Sequence, residues 1–171
     1  MLNMVYGSDP LLSKILSPVT KFDDELKSFI KEMFETMDNY NGVGLAANQV
    51  GVDKRIFVID TRTKGERLAF INPEIIETSD DNVPYNEGCL SFPNVFRDIY
   101  RPSHVTVSAK DVNGRSFIVK ADGLLARAIQ HENDHLNGKT FISHLSDDEE
   151  REALSEFRRK NKRLLKGLKL I

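Results

Sequence analysis

The sequence predicts an α+β fold in which mainly antiparallel β-sheets surround a central helix, with one further helix near each end of the chain. Two observations support this class. Short apolar and β-branched runs fill the middle of the chain, and segments with helical periodicity precede and follow them. The chain has 171 residues, of which 40% are apolar and 29% charged, so residues 1–171 can bury the core of a single domain.

The first predicted element is an amphipathic helix from Asp23 to about Tyr40. Two aspartates at its start suit a helix N-terminus, and Asn41-Gly42 suits its end. Residues 9–18, which contain two prolines, predict an irregular segment before it. The apolar residues of the helix recur at three- and four-residue steps, which predicts one buried face formed by Leu26, Phe29, Ile30, Met33, Phe34 and Met37.

A small, glycine-rich apolar segment at residues 42–51 leads into two predicted strands. The first strand covers residues 55–60, where apolar residues dominate. The second covers residues 68–71, and Asn72-Pro73 is expected to end it.

The second half of the chain predicts a hairpin followed by two helices. Residues 105–110 and 116–120 flank Asn113-Gly114, a dipeptide typical of tight hairpin turns. One helix is predicted to begin at Asp122, a suitable N-cap, and to end near Asn137. The last helix is predicted over about residues 147–165.

Charge and cysteine content exclude several function classes. The formal net charge of −2 gives no global signal for a nucleic-acid partner, so no direct DNA binding is expected. No membrane partner is expected either, because no apolar run approaches the roughly 18–20 residues that span a bilayer. The single cysteine, Cys89, excludes an internal disulfide. Together with an N-terminus that lacks a secretory signal, it predicts the cytoplasm.

The helix predicted after Asp122 contains the pattern His-Glu-x-x-His at residues 131–135. His131 and His135 are four residues apart, so they share one helix face and can bind one metal ion. Glu132 lies about 100° around the helix, where it can handle a metal-bound water. Because the pattern is short, a solvated helix surface is the alternative interpretation of these five residues.

A catalytic metal site needs a third protein ligand and one open position. One class of zinc protease takes a third histidine at the position that Phe141 occupies here, and phenylalanine cannot ligate. A second class uses a downstream glutamate, for which Glu152 and Glu156 lie in range within a highly charged segment. Cys89 remains, preceded by Gly88, which permits close backbone approach. A thiolate with two imidazoles is a known catalytic ligand set, so Cys89 is the favoured third ligand.

Three separated motifs give the chain a family resemblance. From about Val5 to Leu145 the sequence resembles peptide deformylase, although the stretch from Pro93 to Tyr100 is less usual and the last twenty-five or so residues match poorly. The motifs that carry the resemblance are Gly42-Val43-Gly44-Leu45-Ala46-Ala47-Asn48-Gln49, Glu87-Gly88-Cys89-Leu90-Ser91 and Gln130-His131-Glu132-Asn133-Asp134-His135-Leu136.

The resemblance implies a hydrolase that removes the formyl group from the N-terminal formyl-methionine of nascent polypeptides and releases formate. It implies one divalent ion bound by Cys89, His131 and His135, with Fe(II) favoured and Zn, Ni or Co as alternatives. A metal-bound water is then the nucleophile. Glu132 is the general acid and base, which agrees with the chemistry a carboxylate beside such a water performs.

The same resemblance assigns the remaining site residues. The Gln49 side chain and the Leu90 backbone N–H are expected to stabilise the developing oxyanion. Val43, Gly44 and Leu90 are expected to contact the substrate. By the same resemblance, Glu87 and Arg101 form an ion pair that steadies the cysteine loop, with a surface pair of no role as the alternative. Arg127 lies one turn before His131, and the sequence leaves open whether it binds substrate or faces solvent.

The variable C-terminal segment, residues 147–171, separates acidic from basic residues. Acids at a helix start and bases at its end complement the helix dipole, which explains the pattern without a partner. The alternative is a basic helix that docks on the ribosome, as some deformylases do. Residues 147–156 carry the acids Asp147, Asp148, Glu149, Glu150, Glu152 and Glu156, and residues 158–169 carry the bases Arg158, Arg159, Lys160, Lys162, Arg163, Lys166 and Lys169, with no acid.

Three other functions compete with deformylation. An HExxH endopeptidase is disfavoured by Phe141, and a metal-binding protein without activity is disfavoured by the intact Glu132 and Gln49. A metal-independent cysteine hydrolase would pair Cys89 with His104 or His144, so its activity would survive a strong chelator.

Overall fold

The computed structural model describes residues 1–168, so Lys169 and the end of the segment 147–171 lie outside the described residues. The predicted α+β class with antiparallel sheets is confirmed. Its helices are α1 (Asp24–Asn39), α2 (Gly123–Leu136), α3 (Asp147–Lys160) and α4 (Lys162–Gly167), with short 3-10 helices at Pro10–Ser13, Ala47–Val50 and Phe141–His144. Its strands are β1 (Gly44–Ala46), β2 (Ile56–Asp60), β3 (Arg67–Thr78), β4 (Val83–Cys89), β5 (Phe92–Arg101), β6 (Val105–Lys110) and β7 (Ser116–Ala121).

A five-stranded antiparallel sheet in the order β1-β2-β3-β6-β7 lies between α1 and α2. Alternate side chains of β2 point to opposite faces of the sheet, which explains why a helix packs on each face. Phe57 and Ile59 belong to a core cluster with the apolar face of α2. Ile56 and Val58 belong to a second cluster with the apolar face of α1. Both faces of β2 are therefore buried, and α2 packs against a rigid support.

The second predicted strand does not end at Asn72-Pro73, and that prediction was wrong. Strand β3 continues to Thr78, with an irregular register beside these two residues. Asn72 adopts a φ of 50°, and its side chain bonds both the N–H and the carbonyl of Val19. The Asn-Pro step is therefore a bulge within the strand instead of its end.

Strands β4 and β5 form a separate two-stranded sheet that the sequence did not predict. Residues 83–86 are exposed, so the first half of β4 lacks the apolar alternation by which a strand is recognised. The other side of the hairpin packs on α3 and α4 through a third core cluster that includes Phe92, Ile99 and Phe157. No helix within residues 1–168 is long and apolar enough to cross a bilayer.

Candidate active site

Helix α2 presents both histidines of the His-Glu-x-x-His pattern on one buried face. His131 is 8% exposed and His135 fully buried, and their ring centroids lie 5.3 Å apart. The helix is fixed because Leu125, Ile129 and Leu136 pack into the core cluster against the sheet. Asp122 occupies the predicted N-cap position, but its side chain makes no capping hydrogen bond.

Cys89 ends strand β4 and meets the two histidines. Its Sγ lies 3.4 Å from His135 Nε2, and one ligand atom from each of Cys89, His131 and His135 falls within a group no wider than 4.8 Å. The register of the hairpin shifts between Glu87 and Cys89, which turns the end of β4 away from regular pairing. One sulfur and two nitrogens match the donor set of a three-ligand catalytic metal site.

The charges around the histidines also fit a bound cation. Burial, aided by the neighbouring His131, lowers the pKa of His135 to about 3, so this imidazole is neutral, the form that ligates. Burial lowers the pKa of His131 too, but the acidic groups of Glu132, Cys89 and Glu87 outweigh it and raise that pKa above its usual value. An environment that favours positive charge at His131 also favours a divalent ion there.

Glu87 lies behind the histidines as the acceptor of several charge-assisted hydrogen bonds. Its carboxylate oxygens accept hydrogen bonds from His131 Nδ1 at 2.9 Å, from Arg101 at 2.7 and 3.1 Å, and from Arg127 at 2.9 Å. Burial alone raises its pKa, but the bonds from His131 and Arg101 dominate and lower it to about 2. The expected pair of Glu87 and Arg101 is present and buried, and it orients the ring of His131.

Glu132 is buried beside β1, with its carboxylate against Gly44. Burial raises its pKa to about 7. A Cβ built on Gly44 would lie 2.5 Å from Glu132 Oε2, so the absence of a side chain there makes room for the carboxylate. Glu132 Oε1 is buried without a partner among the described residues, which leaves it an acceptor for a proton donor in the cavity.

Gln49 is held in one orientation by its own segment. Its Oε1 accepts a hydrogen bond from the Ala46 N–H at 2.9 Å, which directs Nε2 to Cys89 Sγ at 3.5 Å and Ser91 Oγ at 3.2 Å. The contact with Ser91 was not predicted, although this serine is part of the cysteine motif. Its only signal in the sequence is a polar residue next to Leu90, because its complete burial depends on tertiary packing.

Most of these side chains line one cavity of about 570 Å³, whereas His135 is fully buried and is not part of its lining. Val43, Gly44 and Leu90, for which substrate contact was predicted, also line this cavity. Phe96, from the less usual stretch 93–100, also lines the cavity. Three further lining residues were not predicted: Tyr6, Tyr40 and Tyr85.

The alternative ligands and nucleophile partners have other contacts. Phe141 stacks on the His131 ring, with centroids 6.0 Å apart, where a third histidine was considered. Glu156 pairs with Arg97 and Lys160 instead of the metal donors. His144 contacts Asp134 at 2.7 Å, and His104 contacts Ser103 at 2.8 Å, so neither of these histidines is seen to pair with Cys89.

Known proteins are similar to this chain in both sequence and fold. A family profile described as polypeptide deformylase matches residues 1–151. The chain is 44% identical over 155 residues to the peptide deformylase of Cellvibrio japonicus, a match that covers 90% of this chain and 92% of that protein.

Solved structures of peptide deformylases have the same fold as this chain. A peptide deformylase from Ehrlichia chaffeensis superposes with a TM-score of 0.90 at 39% identity, covering 96% of this chain and 98% of that one. A peptide deformylase from Synechococcus elongatus in complex with actinonin gives a TM-score of 0.86 at 43% identity, covering 94% and 88%. The chain belongs to the polypeptide deformylase family.

Proposed function

We propose that Cys89, His131 and His135 hold one divalent ion and that Glu132 carries the proton in the reaction of this family. That reaction removes the formyl group from the N-terminal formyl-methionine of nascent polypeptides. The observation that carries the assignment is the clustering of three ligand atoms within 4.8 Å of one another, at a cavity lined by Cys89, His131 and Glu132. A divalent ion bound there would polarise the formyl carbonyl and lower the pKa of a water molecule.

Glu132 performs the proton transfers in this proposal. Its carboxylate takes a proton as the water oxygen bonds to the formyl carbon. It returns that proton to the amine nitrogen as the carbon–nitrogen bond breaks and formate leaves. A raised pKa near 7 supports this role, because a group that gives and takes a proton works best near the operating pH.

Gln49 and Leu90 stabilise the formyl oxygen as it becomes negative. The fixed orientation of the Gln49 amide supports this, since Nε2 is directed to Cys89 before any substrate arrives. Val43 and Gly44 receive the substrate backbone. Support comes from β1, which is the edge strand of its sheet and adjoins the cavity, so an extended peptide can pair with it.

The experiment measures formate released from formyl-Met peptides by an anaerobic preparation, with metal content determined on the same sample. We expect stoichiometric metal and release that a strong chelator abolishes. The variant Cys89→Ala should lose both metal and release. Stoichiometric metal without release from the unaltered protein would refute the function, and release that survives complete removal of metal would favour a cysteine hydrolase.

We further propose Fe(II) as the native ion. One thiolate and two imidazoles suit ferrous iron as well as zinc, nickel or cobalt. The donor set alone therefore supports this group of divalent metals and does not select one of them. The metal found in the anaerobic preparation, compared with the activity after reconstitution with each ion, decides among them.

We also propose that α3 and α4 dock on the ribosome in the cytoplasm, where nascent chains emerge. The basic side chains of this segment are exposed, which supports a nucleic-acid contact, whereas Phe157 and Leu165 are buried and face the core. Replacing Arg158, Arg159, Lys162 and Lys166 by Gln therefore tests docking without removing packed residues. Ribosome affinity should fall and depend less on salt, and equal affinity of both proteins would refute docking.

A further inference from the structure

Arg127, which the sequence left undecided, is buried between α2 and the β4–β5 hairpin. It is 8% exposed, and its guanidinium lies 5.4 Å from the centroid of the Tyr85 ring. Nη1 donates to Glu87 Oε2 at 2.9 Å and to the Ile99 carbonyl at 2.8 Å. Nη2 donates to the Val83 carbonyl at 2.6 Å. A single side chain on α2 thus bonds both strands of the hairpin.

The charges around Glu87 explain why the contact with Arg127 matters. Arg101 is shared between two carboxylates, since it bonds Glu87 and also Asp134 at 2.8 Å. With Arg127 the set contains two carboxylates and two guanidinium groups and is balanced. Without Arg127, Arg101 would be the one guanidinium shared by Glu87, which is buried, and Asp134, which is partly buried. The other contacts of these carboxylates would be His131 for Glu87 and His144 for Asp134. A buried carboxylate deprived of a partner is strongly unfavourable.

The contact also joins the two elements that carry the proposed metal donors. Cys89 is the last residue of β4, whereas His131 and His135 are on α2, so their separation depends on how the hairpin sits on the helix. Arg127 lies one turn before His131 and holds β4 at Val83 and Glu87 and β5 at Ile99. Arginine suits this task because its planar group donates several bonds in a fixed geometry.

We propose that Arg127 is a positioning residue that keeps Cys89 within ligating distance of the two histidines and thereby slows loss of the divalent ion. The inference rests on the proposed function, because it takes these three residues as the ligands. Arg127 also lines the cavity, so the competing role is direct contact with the substrate side chain.

The test uses the cobalt-loaded enzyme with Arg127→Met, Arg127→Lys and the control Arg115→Met, which alters an exposed arginine on a turn. The first measurement is the rate at which EDTA removes Co(II), and the second is the visible absorption of the cobalt–thiolate centre. We expect Arg127→Met to lose Co(II) about 10- to 100-fold faster with an altered spectrum, as for other residues that support metal ligands. Arg127→Lys should recover part of the loss, and Arg115→Met should match the unaltered protein.

Substrate kinetics separate the two roles. Positioning predicts that kcat falls by the same factor for formyl-Met and formyl-norleucine peptides. If Arg127→Met retains Co(II) and its spectrum while KM rises for one of these peptides, Arg127 contacts substrate and the proposal is overturned. Should circular dichroism show that Arg127→Met is unfolded, Arg127→Lys decides alone, and unchanged Co(II) release from it overturns the proposal. The cobalt measurements need no turnover and therefore test Arg127 even if the enzyme is inactive. Absence of formate release from the unaltered protein would contradict the proposed function, and it would leave the test of Arg127 intact.

Discussion

The close approach of Gly44 to Glu132 gives a quantitative prediction for Gly44→Ala. The new Cβ would lie 2.5 Å from Glu132 Oε2, 2.9 Å from its Cγ and 3.0 Å from its Cδ, whereas ordinary contact begins near 3.4 Å. One partner must therefore move by about 0.9 Å, the difference between the Oε2 distance and ordinary contact. Strand β1 cannot easily retreat, because Gly44 pairs with Ile59 and the Val43 carbonyl accepts the Asp60 N–H at 2.8 Å.

Glu132 is therefore the group that moves, although it is itself only 3% exposed. A displacement of about 1 Å in a catalytic group can cost on the order of 100-fold in rate, which is about 2.7 kcal/mol of barrier. We expect kcat to fall by about this factor with metal content unchanged. Formate release measured through coupled formate dehydrogenase gives kcat, and Gly167→Ala, whose Cβ would meet nothing within 4 Å, is the control.

A double-mutant cycle tests the reasoning itself. If Gly44→Ala acts through Glu132, it should cost less than about 3-fold when added to Glu132→Gln, because coupled residues are not additive. The explanation fails if Gly44→Ala alone keeps normal turnover. It also fails if the substitution lowers the residual rate of Glu132→Gln by the full factor, which would assign Gly44 to substrate contact alone.

Three further predictions concern single side chains. Glu132→Gln should retain metal and lose about 10²- to 10⁴-fold in kcat, because the amide cannot take a proton; normal turnover would show that another group carries it. Gln49→Ala should lower kcat about 100- to 1000-fold, and a change confined to KM would contradict the oxyanion role. Arg97 and Lys160 hold the pKa of Glu156 at about 2. Its ion pairs therefore stabilise the fold fully above its usual 4.5 and are lost as pH falls towards 2. Urea unfolding should show a cost of Glu156→Gln below about 1 kcal/mol near neutral pH that shrinks on acidification, and a constant difference would refute this origin.

The elements that the sequence predicted correctly are those stabilised by local contacts. Helix α1 begins where expected because the Asp23 side chain accepts the Leu26 N–H at 3.0 Å, three residues away. Hairpin β6–β7 turns at Asn113-Gly114 for a similarly local reason, since Gly114 adopts a φ of 78°. Strands β4 and β5 were missed because tertiary contacts order them, among them the bonds from Arg127 to Val83 and Ile99.

The three proposed metal ligands, which lie together in the structure, were accessible to sequence reasoning, whereas the residues around them were less so. Cys89 and His135 are 46 positions apart in the sequence. They could still be brought together by reasoning, because a catalytic metal site needs a third ligand and the chain has a single cysteine to supply it. No comparable rule points to Ser91 or to the burial of Arg127. Those roles depend on which backbone groups lie nearby, and that information exists only in the folded chain.

One helix was predicted over about residues 147–165, and that prediction was wrong, since the helix breaks between α3 and α4 at Asn161. Tertiary contacts of Asn161 accompany the break. Asn161 is 7% exposed, and its Nδ2 donates to the carbonyls of Pro93 and Phe157 at 2.8 Å each. Its Oδ1 accepts a bond from Asn94 Nδ2 at 3.2 Å. Pro93 and Asn94 line the cavity, so this one amide ties the C-terminal helices to the rim of the site.

Asn161→Ala should therefore affect substrate binding more than chemistry. The Pro93 carbonyl loses its partner, which we expect to cost about 1–3 kcal/mol of unfolding free energy. The loosened rim should raise KM for formyl-Met peptides several-fold, whereas kcat and metal content stay unchanged, because the ligands and Glu132 belong to other elements. Ser155→Ala, on the exposed face of α3, is the matched control. A fall in kcat at constant KM would show that the C-terminal helices act on the metal centre and not on the cavity rim.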